Sequence, residues 1–381
     1  MEITVYSNGD SRDISTWSNV PYLFCKALER KGVKLNRVNI AANKTLQRMY
    51  DSFFYKLFRT VLKQNASPIF YDSPIHRAII NHRLRRAAKR YKNADFNLFL
   101  SYLFINKYSD KPNVMWCDWT HRIVIERRGR KPKWYENWSL KKEETAIKSA
   151  DVRYTMFPKC KIQMEELYNV EFRYLNRNVV NTVYDRRGGG IFDAIIDKRI
   201  SSPIILFIGD TRYTSAALEL IDSFKELQHK YSNLRLHIIG MTNEQLSINT
   251  EQMNIICHGY LHKDREEERD VYYNLLMQAK VFVNPAAQWG GYSSTIEAMY
   301  YGCPVIVSPY DDFVAEFGND IDFGIYHKNK GTLYSEMDAI LSLNNNEYKK
   351  MSASAANRVK DYTWDNYVYS FVSDLKQLGI I

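Results

Sequence analysis

One stretch, from Ala279 to Phe313, constrains the fold of this chain more than any other. It reads AKVFVNPAAQWGGYSSTIEAMYYGCPVIVSPYDDF and begins with the apolar, β-branched segment Val281–Val283. A glycine-bearing loop follows, then a helical segment that ends at Gly302, and then a second apolar segment, Pro304–Ser308. Two buried strands joined through a single helix are typical of a parallel sheet, so the stretch predicts a βαβ unit.

The loop of this unit has the features of a ligand-binding corner. It lies at the carboxyl end of the first strand, where open α/β sheets bind their ligands. Ser293 or Ser294 can cap the helix, whose free N–H groups and positive dipole end suit a phosphate. Glu297, about one turn into the helix, can accept hydrogen bonds from sugar hydroxyls. The candidate ligand-binding residues of this corner are Gly290, Gly291, Tyr292, Ser293, Ser294, Thr295 and Glu297.

The order of these residues resembles the donor-nucleotide segment of GT-B glycosyltransferases. It is most similar to the retaining, family 4-like group that includes bacterial α-mannosyl- and α-glucosyltransferases, whose segment reads Glu-Gly-Phe-Gly-x-x-x-x-Glu-Ala-x-x-x-Gly-x-Pro-Val. The matching positions are Gly290, Tyr292, Glu297, Ala298, Gly302, Pro304 and Val305. Trp289, or Gln288 if the loop is one residue longer, replaces the first Glu. In the resembled enzymes the first Glu lies near the reacting sugar and the second holds the nucleotide ribose. The resemblance therefore implies that Glu297 holds the ribose, and no residue here corresponds to the Glu near the sugar. A Rossmann-like βαβ unit without a nucleotide is the alternative.

The resemblance also implies a fold class and a division of the chain. The expected fold is α/β of the GT-B type, with two Rossmann-like domains facing a central cleft. Residues 1–185 would form a basic acceptor-binding domain and residues 186–362 the donor-binding domain, with the hinge at Arg186–Gly190. Residues 363–381 would form a helix that crosses back to the first domain, where its aromatic side chains pack.

A second candidate donor-binding loop follows the apolar strand Pro203–Ile208. In the resembled enzymes this loop carries an Arg and, a few residues later, a Lys, and both hold the diphosphate. Here Arg212 is the only cation, and Ser215 or Ala216 stands where the Lys would be. Arg212 can still bind two phosphate oxygens with its planar guanidinium, and Gly209 allows close backbone approach. Alternatively, Thr214 and Ser215 cap the next helix.

The first domain offers candidate acceptor-binding and catalytic residues. Trp17 and Asn19 follow the first strand; Trp17 can stack on a sugar ring, with simple packing as the alternative. In the resembled enzymes a later strand ends in a polar segment whose His or Asp faces the donor sugar. Asp118 and His121 hold that place here. His121 can hydrogen-bond a sugar hydroxyl and Asp118 can orient an acceptor or take its proton, whereas a capped turn is the alternative.

Charge is divided unevenly along the chain. Residues 1–185 hold 34 Lys and Arg against 18 Asp and Glu, whereas residues 186–381 hold 19 against 25. The predicted helix Tyr50–Gln64 carries aromatic and apolar residues beside cations, and seven cations crowd the predicted helix Pro74–Lys92. Both patterns favour contact with an anionic partner such as a membrane surface. The alternative is a pair of core-facing helices with solvated basic sides. The basic segment Arg122–Trp138 is predicted to be a mobile loop.

Composition excludes several other classes. No run of about 18 apolar residues is present, and the first residues lack the basic and apolar regions of a secretory signal. The five cysteines are scattered without a C-x-x-C pair, which favours reduced thiols and argues against a zinc site. We expect a cytoplasmic protein, with peripheral attachment to the inner face of the membrane. Nucleic-acid binding is not expected, because no recognised nucleic-acid module accompanies the cations.

The expected function is transfer of a sugar from a nucleotide-diphosphate donor to a lipid-linked or anionic glycan acceptor. No metal and no further cofactor is expected, because cations and a helix dipole can neutralise the phosphates. Retention of stereochemistry is implied only by the resemblance. A GT-B-shaped accessory protein without catalysis is one alternative, supported by the absent first Glu and the absent Lys. A nucleotide-sugar epimerase is another, although it would not need the basic first half.

Overall fold

The computed structural model describes residues 1–64, 67–175, 177–183, 191–248, 254–287 and 291–381, without the side chains of 191–193. The predicted hinge, Arg186–Gly190, lies outside the described residues, as do Gln288, Trp289 and Gly290. The chain divides into two compact units. The first comprises Met1–Arg177 and Tyr367–Ile381, and the second comprises Asn178–Asn366. Among the described residues no helix combines the length and the apolarity that crossing a membrane requires.

The first unit is built on a sheet of five parallel strands. Its elements are β1 (Glu2–Ser7), α1 (Val20–Arg30), β2 (Lys34–Asn39), α2 (Lys44–Lys56, continued by a π-helical turn Leu57–Val61), α3 (Pro74–Arg90), β3 (Phe96–Phe99), β4 (Asn113–Cys117), α4 (His121–Arg127), α5 (Asn137–Ser149), β5 (Val152–Thr155) and α6 (Pro158–Tyr168). The strand order is β2-β1-β3-β4-β5. The order reverses between β1 and β3, so a ligand is expected at the carboxyl ends of these two strands.

The segment Arg122–Trp138 corrects one prediction. The sequence suggested a mobile loop, but α4 occupies His121–Arg127 and α5 already begins at Asn137. Thr120 caps α4, since its hydroxyl accepts a hydrogen bond from the Ile123 N–H at 3.3 Å. Ile123 and Ile125 are buried, so the apolar side chains between the cations hold this helix against the unit.

The second unit contains a sheet of six parallel strands. Its elements are α7 (Ile191–Ile200), β6 (Ile204–Ile208), α8 (Thr214–Gln228), β7 (Arg235–Ile239), α9 (Asn243–Leu246), β8 (Ile255–Cys257), α10 (Glu266–Gln278), β9 (Val281–Asn284), α11 (Ser293–Tyr300), β10 (Val305–Val307), α12 (Asp311–Phe317), β11 (Gly324–Tyr326), α13 (Leu333–Leu341) and α14 (Asn345–Arg358). The order β11-β10-β9-β6-β7-β8 is that of a doubly wound Rossmann sheet. Its switch point lies between β6 and β9.

The core of the second unit follows from its apolar periodicity. On α8, Leu220, Phe224 and Leu227 recur at helical spacing and are fully buried. They belong to one buried cluster with Ile205 and Phe207 of β6. Burying each of these side chains stabilises the fold by roughly 1.5–3 kcal/mol. The packing thus holds the strand whose end carries the Gly209 loop.

The last helix, α15 (Trp364–Gln377), carries the chain back into the first unit. Tyr367 accepts a hydrogen bond from the Trp116 indole N–H at 2.6 Å. Phe371 packs edge-on against Phe24, with ring centroids 5.4 Å apart. Tyr367 and Phe371 therefore pack into the first unit, as predicted, whereas Tyr369 is exposed.

Candidate active site

The switch point of the second unit brings two predicted loops together. β6 and β9 are neighbours in the sheet, with Ile205 opposite Val281 and Leu206 opposite Phe282. The loop that begins at Gly209 therefore leaves the sheet beside the loop that connects Asn284 to α11. Ligands of open parallel sheets bind in the crevice between two such loops. The two loops lie about 80 residues apart in the sequence. The structure places them side by side at the sheet edge that binds ligands in this class of fold.

Glycine makes the loop after β6 possible. Gly240, which follows β7, has φ +104°, and a Cβ atom there would lie 2.5 Å from the Gly209 carbonyl oxygen. A Cβ atom on Gly209 would lie 2.9 Å from Cδ2 of Tyr213. At Gly240 a larger residue would require the backbone to move, whereas at Gly209 it would require neighbouring side chains to shift. The backbone around Gly209 is therefore held by direct contact between two loops.

Arg212 forms an ion pair within its own loop. Its Nε lies 2.9 and 3.0 Å from the two carboxylate oxygens of Asp210, and Nη2 lies 2.7 Å from Oδ2. The ion pair holds the pKa of Asp210 below its usual value. The side chain of Arg212 is 70% exposed, so the guanidinium remains accessible to an anion. Thr214 and Ser215 do not cap α8; the cap position is Tyr213, which makes no side-chain cap hydrogen bond.

The start of α11 differs from the prediction. Neither Ser293 nor Ser294 caps the helix, because both already lie inside its first turn and Tyr292 holds the cap position. Tyr292 makes no side-chain cap hydrogen bond. Its ring is buried against Phe313, and its hydroxyl donates to Glu316 at 2.5 Å. Tyr292 therefore anchors the loop, and the first turn keeps N–H groups that no capping side chain among the described residues satisfies.

Two buried polar atoms at this edge have no partner among the described residues. They are the hydroxyl of Thr295, in the first turn of α11, and the side-chain amide nitrogen of Asn284, at the end of β9. Both residues are almost completely buried. Because an unsatisfied buried polar atom costs about 1–3 kcal/mol, a bound ligand or ordered water is the expected partner. Asn284 was not among the predicted site residues, although its position at the end of a predicted strand could have indicated it.

Glu297 is buried and already has partners. Both of its carboxylate oxygens lie 3.2 Å from Nζ of Lys263, and the Tyr272 hydroxyl donates to Oε2 at 2.8 Å. Burial, together with proximity to Glu297, raises the pKa of Tyr272 well above its usual value. Sequence reasoning missed Lys263 and Tyr272. They reach α11 from the loop after β8 and from α10, so only the tertiary structure brings them to Glu297.

The predicted acceptor-binding residues lie in a strained turn after β1. Trp17, Ser18 and Asn19 have φ values of 41°, 52° and 72°, a left-handed run without glycine. Such conformations cost of order 1–3 kcal/mol each and concentrate at functional sites. Asn19 is buried, and its amide nitrogen has no partner among the described residues. The Trp17 ring packs edge-on against Trp116 at 5.8 Å, so the predicted packing alternative is present as well.

The predicted catalytic residues Asp118 and His121 interact with different partners. The Asp118 carboxylate accepts a hydrogen bond from the Trp119 N–H at 2.7 Å, and Cys117 Sγ lies 3.2 Å away. Burial raises the pKa of Asp118 above its usual value. Nδ1 of His121 instead lies 3.5 Å from Oδ1 of Asp72, a buried residue that sequence reasoning missed. The imidazole is therefore placed beside a carboxylate that comes from a distant segment.

Buried carboxylates surround the start of α4. Glu143 of α5 accepts hydrogen bonds from the His121 N–H at 2.7 Å and the Arg122 N–H at 3.3 Å. Burial raises the pKa of Glu143 to about 7. Burial also raises the pKa of Asp72 above its usual value, although the nearby His121 opposes that effect. Protonation near neutral pH can thus alter the carboxylate that holds the backbone of His121.

Among the described residues one group could hold a metal ion: the candidate ligand atoms of Asp72, His121 and Glu136 lie within 4.8 Å of one another. Glu136 is already paired with Arg130, whose two guanidinium nitrogens each lie 2.7 Å from a carboxylate oxygen. The single Asp-x-Asp of the sequence, Asp320–Asp322, precedes β11 and so lies at the amino end of that strand, away from the switch point. Metal independence stays a prediction.

Part of the second unit matches a known protein family. Residues 202–342 match the family model described as "Glycosyl transferases group 1". Sucrose-phosphate synthase from Thermosynechococcus elongatus is 14% identical, with 99% of each chain covered and a TM-score of 0.67. WaaG, described as a glycosyltransferase involved in lipopolysaccharide biosynthesis, is 11% identical, with 98% of this chain and 99% of that chain covered and a TM-score of 0.60. No curated protein sequence matches significantly.

A third structure is that of a longer protein. A variant of TarM from S. aureus, solved with fondaparinux, α-GlcNAc-glycerol and UDP, is 14% identical with a TM-score of 0.57. That match covers 77% of this chain, which spans 58% of the TarM chain. Together with the two Rossmann-like sheets, these similarities confirm the predicted GT-B fold class.

Proposed function

We propose that this chain, a glycosyltransferase with the GT-B fold, moves a sugar from a nucleoside-diphosphate donor to a lipid-linked or anionic glycan acceptor. Transfer would need no metal and would retain the configuration of the sugar. One observation carries the proposal. At the switch point of the second unit, an uncapped helix start, an accessible guanidinium and a buried carboxylate share one sheet edge.

Each group matches a different part of the donor. The free N–H groups at the start of α11 and the guanidinium of Arg212 suit the diphosphate, whose charge must be stabilised as it departs. Glu297 suits the ribose hydroxyls, because a carboxylate is a pure hydrogen-bond acceptor. UDP in the TarM structure supports a nucleoside diphosphate as the donor class.

The first unit would meet an anionic surface through α2. This helix has no buried residue, and its exposed apolar side chains include Met49 and Phe53, followed by Val61. Exposed cations stand beside them: Lys44, Arg48, Lys56 and Arg59. Apolar side chains that enter the headgroup region, flanked by cations, are typical of helices that lie on an anionic bilayer. We therefore propose peripheral membrane binding through α2 for an acceptor carried by a lipid.

The donor proposal is tested with a panel of nucleotide sugars. Hydrolysis of UDP-, GDP- and ADP-sugars is measured with and without lipid-linked glycan acceptors, and binding of each nucleotide is measured by calorimetry. We expect one nucleotide to bind and its sugar to be transferred without added metal, including in the presence of a chelator. The internal pairs Asp210–Arg212 and Lys263–Glu297 favour one competing reading, an accessory protein. Binding without turnover across the panel would support that reading.

The membrane proposal is tested by vesicle sedimentation. Phe53→Asp places a charge on the exposed face of α2, and Ile162→Asp does the same on α6, which shares the first unit. We expect the wild type and Ile162→Asp to pellet with anionic vesicles and Phe53→Asp to stay in the supernatant. Equal pelleting of the wild type with neutral and anionic vesicles would discard the electrostatic account.

A further inference from the structure

Glu316 of α12 joins two separate parts of the second unit. Its Oε2 accepts a hydrogen bond from the Tyr292 hydroxyl at 2.5 Å, and its Oε1 accepts one from the backbone N–H of Asn178 at 3.0 Å. Tyr292 precedes the first turn of α11, whereas Asn178 is the first residue of the second unit. One carboxylate therefore connects the candidate donor-binding edge to the place where the chain enters this unit. We call residues 178–181 the entry segment and residues 362–366, which precede the return to the first unit, the exit segment.

The entry segment is bound in turn to the exit segment. The Val180 N–H donates to the Tyr362 carbonyl at 2.8 Å, and the Trp364 indole N–H donates to Oδ1 of Asn181 at 3.1 Å. The two passages of the chain are therefore hydrogen-bonded to each other within the second unit. A constraint that Glu316 places on the entry segment thus also acts on the exit segment.

Aromatic packing holds the Tyr292 ring independently of its hydroxyl. The ring lies edge-on to Phe313, with centroids 5.3 Å apart, and its centroid lies 6.1 Å from that of Phe317. All three rings are buried, so the apolar surface that they share fixes the place of Tyr292 against α12. The bond between the hydroxyl and Glu316 can therefore be removed while the packing is kept.

An anion bound at the start of α11 would act on Tyr292 first. Tyr292 holds the cap position, and the N–H groups of the turn that follows it are those proposed to hold the diphosphate. A phosphate bound to these groups would restrict the backbone of the cap residue and hence the movement of its hydroxyl. Because that hydroxyl shares Glu316 with the Asn178 N–H, the order gained at Tyr292 would pass to the entry segment.

We infer that Glu316 is a positioning residue that transmits nucleotide binding from the start of α11 to the entry and exit segments. With nucleotide bound, the hydrogen bonds to Glu316 open less often, and the N–H groups of the entry segment exchange more slowly with solvent. The inference rests on the proposed function, because it assumes that a nucleoside diphosphate binds at the start of α11. It adds a role for a residue that belongs to neither of the predicted donor-binding loops.

Hydrogen exchange followed by mass spectrometry tests the inference on the whole chain. UDP, GDP and ADP are screened by calorimetry, and exchange is measured with and without a saturating amount of the nucleotide that binds. In the wild type we expect nucleotide to slow exchange of the entry segment at least about fivefold, the lower end of typical coupling between sites. Tyr292→Phe removes only the hydroxyl, and Glu316→Met removes both acceptor oxygens. In both variants the slowing should fall to within about twofold, because the connection is broken.

The control is Asp311→Asn, which removes one negative charge from an exposed residue at the start of α12. It should keep the slowing of the wild type, and thermal melting establishes that each variant is folded. A purely structural Glu316 would give a different pattern. Glu316→Met would then exchange faster with and without nucleotide alike, and an unchanged ratio of the two rates would overturn the inference.

The remaining outcomes separate the inference from the proposed function. If no nucleotide of the panel binds to the wild type, the donor assignment falls and the inference falls with it. If a nucleotide binds but the entry segment exchanges at an unchanged rate, the inference is overturned while the donor site stands. If folded Tyr292→Phe keeps the slowing of the wild type, the hydroxyl does not carry the coupling and the inference is overturned as well.

Discussion

The two units build their candidate ligand-binding edges in different ways from similar parallel sheets. In the second unit the edge is largely backbone: the close contact between Gly209 and Gly240 and the uncapped start of α11. In the first unit it is largely side chains drawn from separate segments, with Asp72, His121 and Glu143 meeting at the start of α4. An edge made of backbone depends on where glycine stands, whereas an edge made of side chains depends on packing and charge.

The two units also differ in which residues have positive φ angles. In the second unit the positive φ angles next to the switch point belong to glycines such as Gly240 and Gly259. In the first unit they belong to Trp17, Ser18 and Asn19, which pay a steric cost that glycine avoids. The backbone of the second unit is therefore relaxed at its candidate ligand-binding edge, whereas that of the first unit is strained at the corresponding edge. Four substitutions test this difference between the units.

Gly240→Ala should have the largest effect. The new methyl group would lie 2.5 Å from the Gly209 carbonyl oxygen at a φ angle that alanine disfavours. We expect a loss of about 3 kcal/mol in unfolding free energy, together with weaker nucleotide binding. Gly331→Ala is the control, because φ is +90° there and the methyl group meets nothing within 4 Å. Equal denaturant midpoints for the two variants would mean that the loop contact is unimportant.

Glu143→Gln should change how stability depends on pH. The pKa of Glu143 is raised from 4.5 to about 7 in the folded protein, so the unfolded chain ionises first as pH rises. The wild type therefore loses stability relative to the neutral variant between about pH 4.5 and pH 7, by up to about 3 kcal/mol. Urea unfolding at several pH values measures this difference. Glu144→Gln, at an exposed residue paired with Lys148, should show no such trend.

Arg212→Met should weaken binding of a nucleoside diphosphate about 10- to 100-fold, because charge-assisted bonds to phosphate are lost. Binding of the matching nucleoside, which has no phosphate, should change little. Arg235→Met is the charge-matched control, since Arg235 is exposed at the amino end of β7, the opposite edge of the sheet. Equal losses in both variants, measured by calorimetry, would indicate general electrostatic attraction and argue against a contact.

Asp72→Asn should have the smallest effect, and we expect only the transfer rate to change. The carboxylate next to His121 would become neutral while its shape is kept, and we expect kcat to fall about 10-fold. Asp51→Ala is the control. It removes the acceptor of the Phe70 N–H, at 2.8 Å, and so loosens the turn that contains Asp72, but it leaves Asp72 and His121 unchanged.

The outcome for Asp72→Asn decides whether Asp72 positions His121. A purely structural role would lower kcat equally in Asp72→Asn and Asp51→Ala. Nucleotide affinity should be unchanged in both variants, because the predicted donor residues belong to the other unit.

Sequence patterns predicted the second unit better than the first for a physical reason. The strand, loop and helix around Glu297 are contiguous, so periodicity and glycine placement reveal them directly. Ser293 and Ser294 were wrongly predicted to cap α11, because the aromatic packing of Tyr292 sets where the helix begins. The apolar residues of α4 were overlooked among cations, so a helix was predicted to be a loop.

By itself, the sequence determined the two parallel sheets, the glycine-dependent loops and the place of Glu297, because these depend on local periodicity and on backbone conformation. Only the tertiary structure decided which groups face the candidate ligands. Lys263 reaches Glu297 across 34 residues of chain, and Asp72 reaches His121 across 49. The distance between two side chains far apart in sequence is set by the packing of the strands and helices that carry them, and no local pattern records it.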